Sequence, residues 1–208
     1  MASGDRPVIV KLGGSLAFSE HLRDWIEALA ACAGRVIVVP GGGPFADTVR
    51  SAQRGMGFDD GAAHHMAVLA MEQYGRALAS LNSLLSPVDS ADAIDRDLAR
   101  GRVPVWMPAR MVLAATDIEQ SWHATSDSLA AWLLGRLGAD RLILVKHVKL
   151  WPGRARVEDL AAMGIIDKAF AEHLSKSAGS AFIIGASEQD AAIAAIRDGM
   201  AAGVRVEQ

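Results

Sequence analysis

The chain has 208 residues, 51% hydrophobic and 22% charged, with a formal net charge of −3; this excludes a disordered protein and allows one α/β domain with a buried core. No Lys/Arg block favours nucleic acid or an anionic membrane as partner, and the single cysteine, Cys32, excludes an intrachain disulfide and a multi-cysteine zinc site. Residues 1–6 are short and polar, and no apolar run is long enough to span a bilayer, so a cytoplasmic protein is expected.

Val8-Ile9-Val10-Lys11-Leu12 is a β-branched run closed by Gly13-Gly14-Ser15, and an amphipathic stretch over about 19–31 follows it. The pattern repeats at once. Residues 35–39 run into Pro40-Gly41-Gly42-Gly43-Pro44 and then a helix over about 45–56. Two strand–glycine–helix units in succession predict a parallel sheet. Asp59-Asp60 start a longer helix predicted to reach about Leu85, with Met66, Ala70, Ala77, Leu81 and Leu84 as its apolar stripe and Met71, Tyr74 and Leu78 widening it. A face that broad fits a core helix or a contact between copies, and a homo-oligomer is expected.

Pro87 is predicted to end that helix. Residues 90–100 read as another helix, with residues 103–106 and 111–113 as short strands. Thr125 or Ser126 caps a helix from Asp127 to about Leu137, and residues 141–146 form a buried strand. Trp151-Pro152-Gly153 reads as a turn. A helix over 167–175, a strand over 181–184, a helix over 188–199 and an edge strand over 204–206 complete the prediction.

Lys11-Leu12-Gly13-Gly14-Ser15 has the makings of a phosphate cradle. The glycines let backbone N–H groups approach phosphate oxygens, the following helix adds a favourable dipole, and the lysine adds mobile positive charge. Neither a Walker loop nor a dinucleotide-binding G-x-G-x-x-G is present. A lone glycine pair is usually a tight turn, but Gly41-Gly42-Gly43 carries an entropic cost of about 1 kcal/mol per glycine that a turn does not require. Thr125-Ser126-Asp127-Ser128 reads as an ordinary helix start, or as a carboxylate that holds and aims Lys11. Lys146-His147-Val148-Lys149 follows the buried strand, where open α/β sheets collect ligands, and reads equally as a solvated basic loop. His64 and His65 point about 100° apart on their helix, so only one can face a site. No His, Cys or carboxylate spacing builds a metal cage, so a metal would be Mg²⁺ carried in by a nucleotide. Ser15 and Ser126 lack the elbow and partnered base of a hydrolase nucleophile.

With these three motifs in this order the sequence resembles the amino acid kinase superfamily, and the match covers most of the chain. The resemblance implies a three-layer α/β/α sandwich around a mainly parallel sheet. An acceptor would bind in an N-terminal half of about 1–120 and ATP in a C-terminal half of about 121–208. Lys11 would stabilise the transferring phosphoryl group and Asp127 would organise the lysines. Gly13, Gly14 and Ser15 would take nucleotide phosphates, with Lys146, His147, Lys149 and Lys168 nearby. Gly41, Gly42, Gly43, His64, Trp122 and Thr125 would take the acceptor. The family's second catalytic lysine falls on Lys146, with Lys168 as competitor. The usual aspartates after the nucleotide strand are replaced here by His147 and Lys149. Residues 60–67 and 121–127 are most similar to the branch that converts an aminomethylfuran phosphate to its diphosphate in methanofuran biosynthesis. Two other readings stand beside this: a kinase of another small acceptor such as a carboxylate, for which only Arg54 lies near residues 57–63, and a non-catalytic anion binder, which would not require both Lys11 and Asp127.

Overall fold

The computed structural model describes residues 6–148, 152–199 and 202–208. Its strands are β1 (Val8–Leu12), β2 (Val36–Pro40), β3 (Leu85–Val88), β4 (Val103–Trp106), β5 (Arg141–Lys146), β6 (Gly153–Arg156), β7 (Ser180–Gly185) and β8 (Val204–Glu207). They form one sheet in the order β3-β4-β2-β1-β5-β7-β8-β6. All described pairings are parallel except that of β7 with β8. The helices are α1 (Leu22–Ala30), α2 (Gly43–Met56), α3 (Asp60–Ser80), α4 (Ala91–Ala99), α5 (Ala109–Val112), α6 (Ser126–Leu137), α7 (Val157–Ala162), α8 (Phe170–Ser175) and α9 (Gln189–Asp198).

Side chains alternate across a strand, so continuous apolar runs must be covered on both faces. On one face Ile9, Ile37, Leu142, Leu144 and Ile183 pack with α6, α7 and α8. On the other Val8, Val10, Val36, Val38, Ile143 and Val145 pack with α1 and α9. This is the expected three-layer α/β/α sandwich. Trp25 of α1 donates its indole N–H to the carbonyl of Ala186, 2.7 Å away, tying that layer to the loop after β7.

Several expectations are corrected. The long helix stops at Ser80, and residues 85–88 are strand β3. Pro87 is tolerated there because β3 is the sheet's edge. The buried residues of α3 are Ala63, His64, Val68, Ala70, Met71, Tyr74, Gly75 and Leu78; of the expected stripe Ala70 is buried, whereas Met66 and Leu84 are substantially exposed. Residues 109–112 form helix α5 where a strand over 111–113 was expected, and β6 and α7 follow the turn expected at 151–153, in a stretch where no element was expected. Strand β8 sits between β7 and β6, so β6 is the edge. Lys149 and Trp151 lie outside the described residues.

Candidate active site

Strands β1 and β5 are parallel neighbours, but the chain leaves β1 for β2 on one side and β5 for β7 on the other. The crevice beyond their C-terminal ends is therefore a topological switch point, where α/β sheets collect ligands. Lys11 lies two residues beyond Ile9 and Lys146 two beyond Leu144, so both side chains leave the sheet on the face covered by α6. Asp127, in the first turn of α6, meets them. Its Oδ1 is 2.8 Å from Lys11 Nζ and its Oδ2 is 2.5 Å from Lys146 Nζ. Lys11 is 5% exposed and Asp127 3%.

A carboxylate buried this deeply would ordinarily be pushed toward its neutral form. Here the charges and hydrogen bonds of Lys11 and Lys146 outweigh the burial and hold Asp127 below the usual carboxylate range. Lys146 is pulled the other way: burial and the Lys11 charge lower it against the opposing pull of Asp127. The cluster carries one net positive charge and is oriented toward an anion.

The glycine loops are in backbone contact. A Cβ at Gly14 would lie 2.4 Å from Gly43 N, and one at Gly41 would lie 2.5 Å from Gly14 N. Gly43 also has φ +56° and stands against the ring of Tyr74, a combination that strongly favours glycine. At Gly42 an added Cβ would strike Ala46, one turn on in α2. Gly13 differs in what an added Cβ would crowd: it would lie 3.3 Å from Lys11 Nζ and 3.4 Å from the Val145 carbonyl oxygen.

Beside this cluster lies a cavity of about 460 Å³ between the glycine loops, α2, α3 and the start of α6. Gly14, Ser15, Gly42, Gly43, His64, Trp122 and Thr125, all expected site residues, line it. Gly13 and Gly41 stand behind the lining. His64 is buried, and burial with the neighbouring His65 lowers its pKa, so at neutral pH it is an uncharged wall group. Trp122 donates its indole N–H to Gln53 Oε1 at 2.6 Å and carries the Arg50 guanidinium 4.3 Å above its ring.

Other expected residues stand apart. His147 and Lys168 are exposed, so of the two competing lysines it is Lys146 that reaches Asp127. Tyr74 lies beneath Gly43, with burial raising its hydroxyl pKa to about 12. Two carboxylates near the cavity are otherwise engaged: Asp60 accepts from Gln53 and Glu72 from the Ala109 N–H. Asp47, paired with Arg50 at 2.9 Å, is the carboxylate on the wall. Asp47, Arg50 and Gln53 were missed because they read as the solvated face of α2. Asp167 was also missed: from 39 to 42 residues away it accepts from the Thr125 N–H and hydroxyl and from the Ser128 N–H and hydroxyl. Among the described residues no group of three or more His, Cys, Asp or Glu is placed to hold a metal ion, and no helix is long and apolar enough to cross a membrane.

Comparison with known proteins adds three kinds of likeness. Residues 6–149 match the model of the amino acid kinase family. A [5-(aminomethyl)furan-3-yl]methyl phosphate kinase from Methanocaldococcus jannaschii is 26% identical over 144 residues, covering 67% of this chain and 65% of the relative. The chain thus matches somewhat under two thirds of that relative's length. Among solved structures, uridylate kinase from Archaeoglobus fulgidus superposes with a TM-score of 0.74 at 19% identity, covering 97% of this chain and all of the other. UMP kinase from Ureaplasma parvum gives 0.70 at 14% identity, covering 98% and 99% of the two chains.

Proposed function

Because the chain belongs to the amino acid kinase family, we propose that it moves the γ-phosphoryl group of MgATP onto a small phosphomonoester, [5-(aminomethyl)furan-3-yl]methyl phosphate, giving the diphosphate. The observation that carries this reading is the buried Lys11–Asp127–Lys146 cluster at the switch point beside a cavity with two glycine loops. The relative from M. jannaschii supports the choice of acceptor.

An acceptor phosphate oxygen attacks the γ-phosphorus while the bond from that phosphorus to the β,γ-bridging oxygen breaks, and ADP leaves with the electron pair. The attacking oxygen is already ionised near neutral pH, so no residue must remove a proton. Catalysis reduces to holding two anions in line and offsetting their repulsion. Lys11 and Lys146 do the offsetting, and Asp127 keeps them charged and aimed. A side chain at Gly13 would press on Lys11 Nζ, so glycine there leaves the ammonium group undisturbed. Mg²⁺ carried by the nucleotide would neutralise further charge on the phosphates.

In this reading the acceptor occupies the N-terminal half, in the cavity, and the nucleotide the C-terminal half around Lys146. The acceptor's ring lies among Trp122, His64 and the small residues, and its ammonium group faces Asp47. The protein works in the cytoplasm.

Incubating the protein and MgATP with this phosphate, its alcohol, UMP, acetylglutamate and aspartate tests the reading. Mass spectrometry is expected to show a gain of about 80 Da on the furan phosphate in strong preference to the rest. Preferential phosphorylation of UMP or a carboxylate overturns the acceptor, and no transfer to any of them overturns the reading.

A further inference from the structure

The first turn of α6 supplies both Asp127 and the cavity-wall residues Thr125 and Ser126. A helix start leaves unpaired N–H groups, and a Thr at the N-cap ordinarily satisfies one with its own hydroxyl. Thr125 makes no such bond. Instead the Asp167 carboxylate, in the loop before α8, accepts from the Thr125 N–H at 2.9 Å, the Thr125 hydroxyl at 2.7 Å, the Ser128 N–H at 3.0 Å and the Ser128 hydroxyl. Ser128 is fully buried, so its hydroxyl has no water to turn to. Charge-assisted hydrogen bonds are the strong ones, and here one carboxylate gathers four across 39 to 42 residues of sequence.

We propose that Asp167 is a positioning residue for the phosphoryl-transfer site, latching the segment that carries Lys168 onto the first turn of α6 and thereby fixing Asp127 between Lys11 and Lys146. This rests on the reading of the site given above. Two consequences go beyond ordinary capping. A helix N-terminus is a ready anion seat. With Asp167 in that seat, an incoming phosphate is turned toward the glycine loops and the lysines. The single hydroxyl hydrogen of Thr125 is also committed to Asp167, so toward an acceptor Thr125 can only accept, as it would from an ammonium group.

Asp167 also bears on charge. Lys146 is faced by Lys11 from β1, Asp127 from α6 and Asp167 from the loop before α8; Lys11 lowers its pKa, while both carboxylates raise it against burial. Removing the Asp167 charge therefore moves Lys146 titration to lower pH. That shift reports the nearness of the Asp167 charge, and the loss in kcat reports the latch.

The test compares wild type, Asp167→Asn and Thr125→Val by steady-state kinetics with MgATP and the furan phosphate, and by NMR titration of the Lys146 side chain without substrate. For Asp167→Asn the expected result is kcat lower by about 10- to 100-fold, KM values changed by less than about threefold, and Lys146 titrating at lower pH. Thr125→Val keeps the charge and removes one of the four bonds, so it should lose less in kcat and leave the titration unmoved. Should Asp167→Asn fail to fold, an unchanged kcat in Thr125→Val overturns the latch and a reduced kcat with native thermal stability supports it. In a folded Asp167→Asn, a kcat equal to that of wild type overturns the latch whatever the titration. Absence of turnover in wild type overturns the proposed function instead; native thermal stability in Asp167→Asn would then overturn the latch, and a loss of stability would support it.

Discussion

Replacing Asp127 by Asn removes the one negative charge between two buried lysines while keeping the side chain's shape. Lys11 and Lys146 then face each other uncompensated, and Lys146, already lowered by burial and by Lys11, loses the strongest group holding it protonated. Breaking a buried pair by removing one partner costs about 3–5 kcal/mol. Part of that cost is relieved here, because Lys146 can release its proton. Its charge is then missing from the transition state, where loss of one preorganised donor lowers kcat by about 100- to 1,000-fold. Lys11→Ala should cost a similar amount while changing the KM for ATP little, since the charge acts mainly on the transferring group. Both changes disable one unit, so the double variant should be hardly slower than the worse single variant. Rates of ADP release from the four proteins of this cycle, each first checked for folding by circular dichroism, give the coupling directly. Additive losses would refute the claim that Asp127 acts through the lysines.

Gly13→Ala should keep the fold, because Gly13 has φ −62° and ψ 150°. Its methyl group would stand 3.3 Å from Lys11 Nζ and 3.4 Å from the Val145 carbonyl oxygen, so Lys11 must give way and kcat/KM should fall by about 100-fold or more; wild-type activity would show that Lys11 need not hold this position. Lys146→Ala should be far more damaging to kcat than Lys168→Ala, since Lys146 touches Asp127 and Lys168 is exposed; the reverse ranking would move the catalytic role to Lys168. Asp127 has a folded pKa below its ordinary 3.8, so its contribution to stability is present above that value and lost as pH falls through the folded pKa. Urea unfolding of wild type between about pH 5 and pH 2 should accordingly show a steeper acid loss than Asp127→Asn, and equal slopes would contradict the assignment.

Local chemistry was legible in the sequence wherever the cause was local. The strand–glycine–helix units at Lys11–Ser15 and at Gly41–Gly43 announce a parallel sheet with glycine loops at its strand ends. Asp127 stands out as an acidic residue in a helix's first turn. The glycines were read as two separate cradles, yet Gly14 and Gly41 are required largely because the loops touch backbone to backbone, which no spacing along the chain reveals. Met111 and Val112 have strand-forming neighbours but belong to a short helix started by the Glu72 carboxylate accepting from the Ala109 N–H. Pro87 looked like the end of a helix, whereas its edge position lets it serve in a strand. Asp167 was invisible because its partners lie about forty residues away. Lys146 and Lys168 were indistinguishable by residue type, and only the register of β1 with β5 brings Lys146 beside Lys11.

The central claim is that a phosphate oxygen, not a hydroxyl or carboxylate, receives the phosphoryl group within the reach of Lys11, Asp127 and Lys146. The most direct measurement is ³¹P NMR of a reaction containing MgATP, the protein and [5-(aminomethyl)furan-3-yl]methyl phosphate, repeated with Lys11→Ala. The account predicts two new mutually coupled diphosphate resonances growing as ADP appears, lost in the variant and absent when the corresponding alcohol replaces the phosphate. A new monophosphate signal from the alcohol at a comparable rate, or diphosphate formation undiminished in Lys11→Ala, would contradict it.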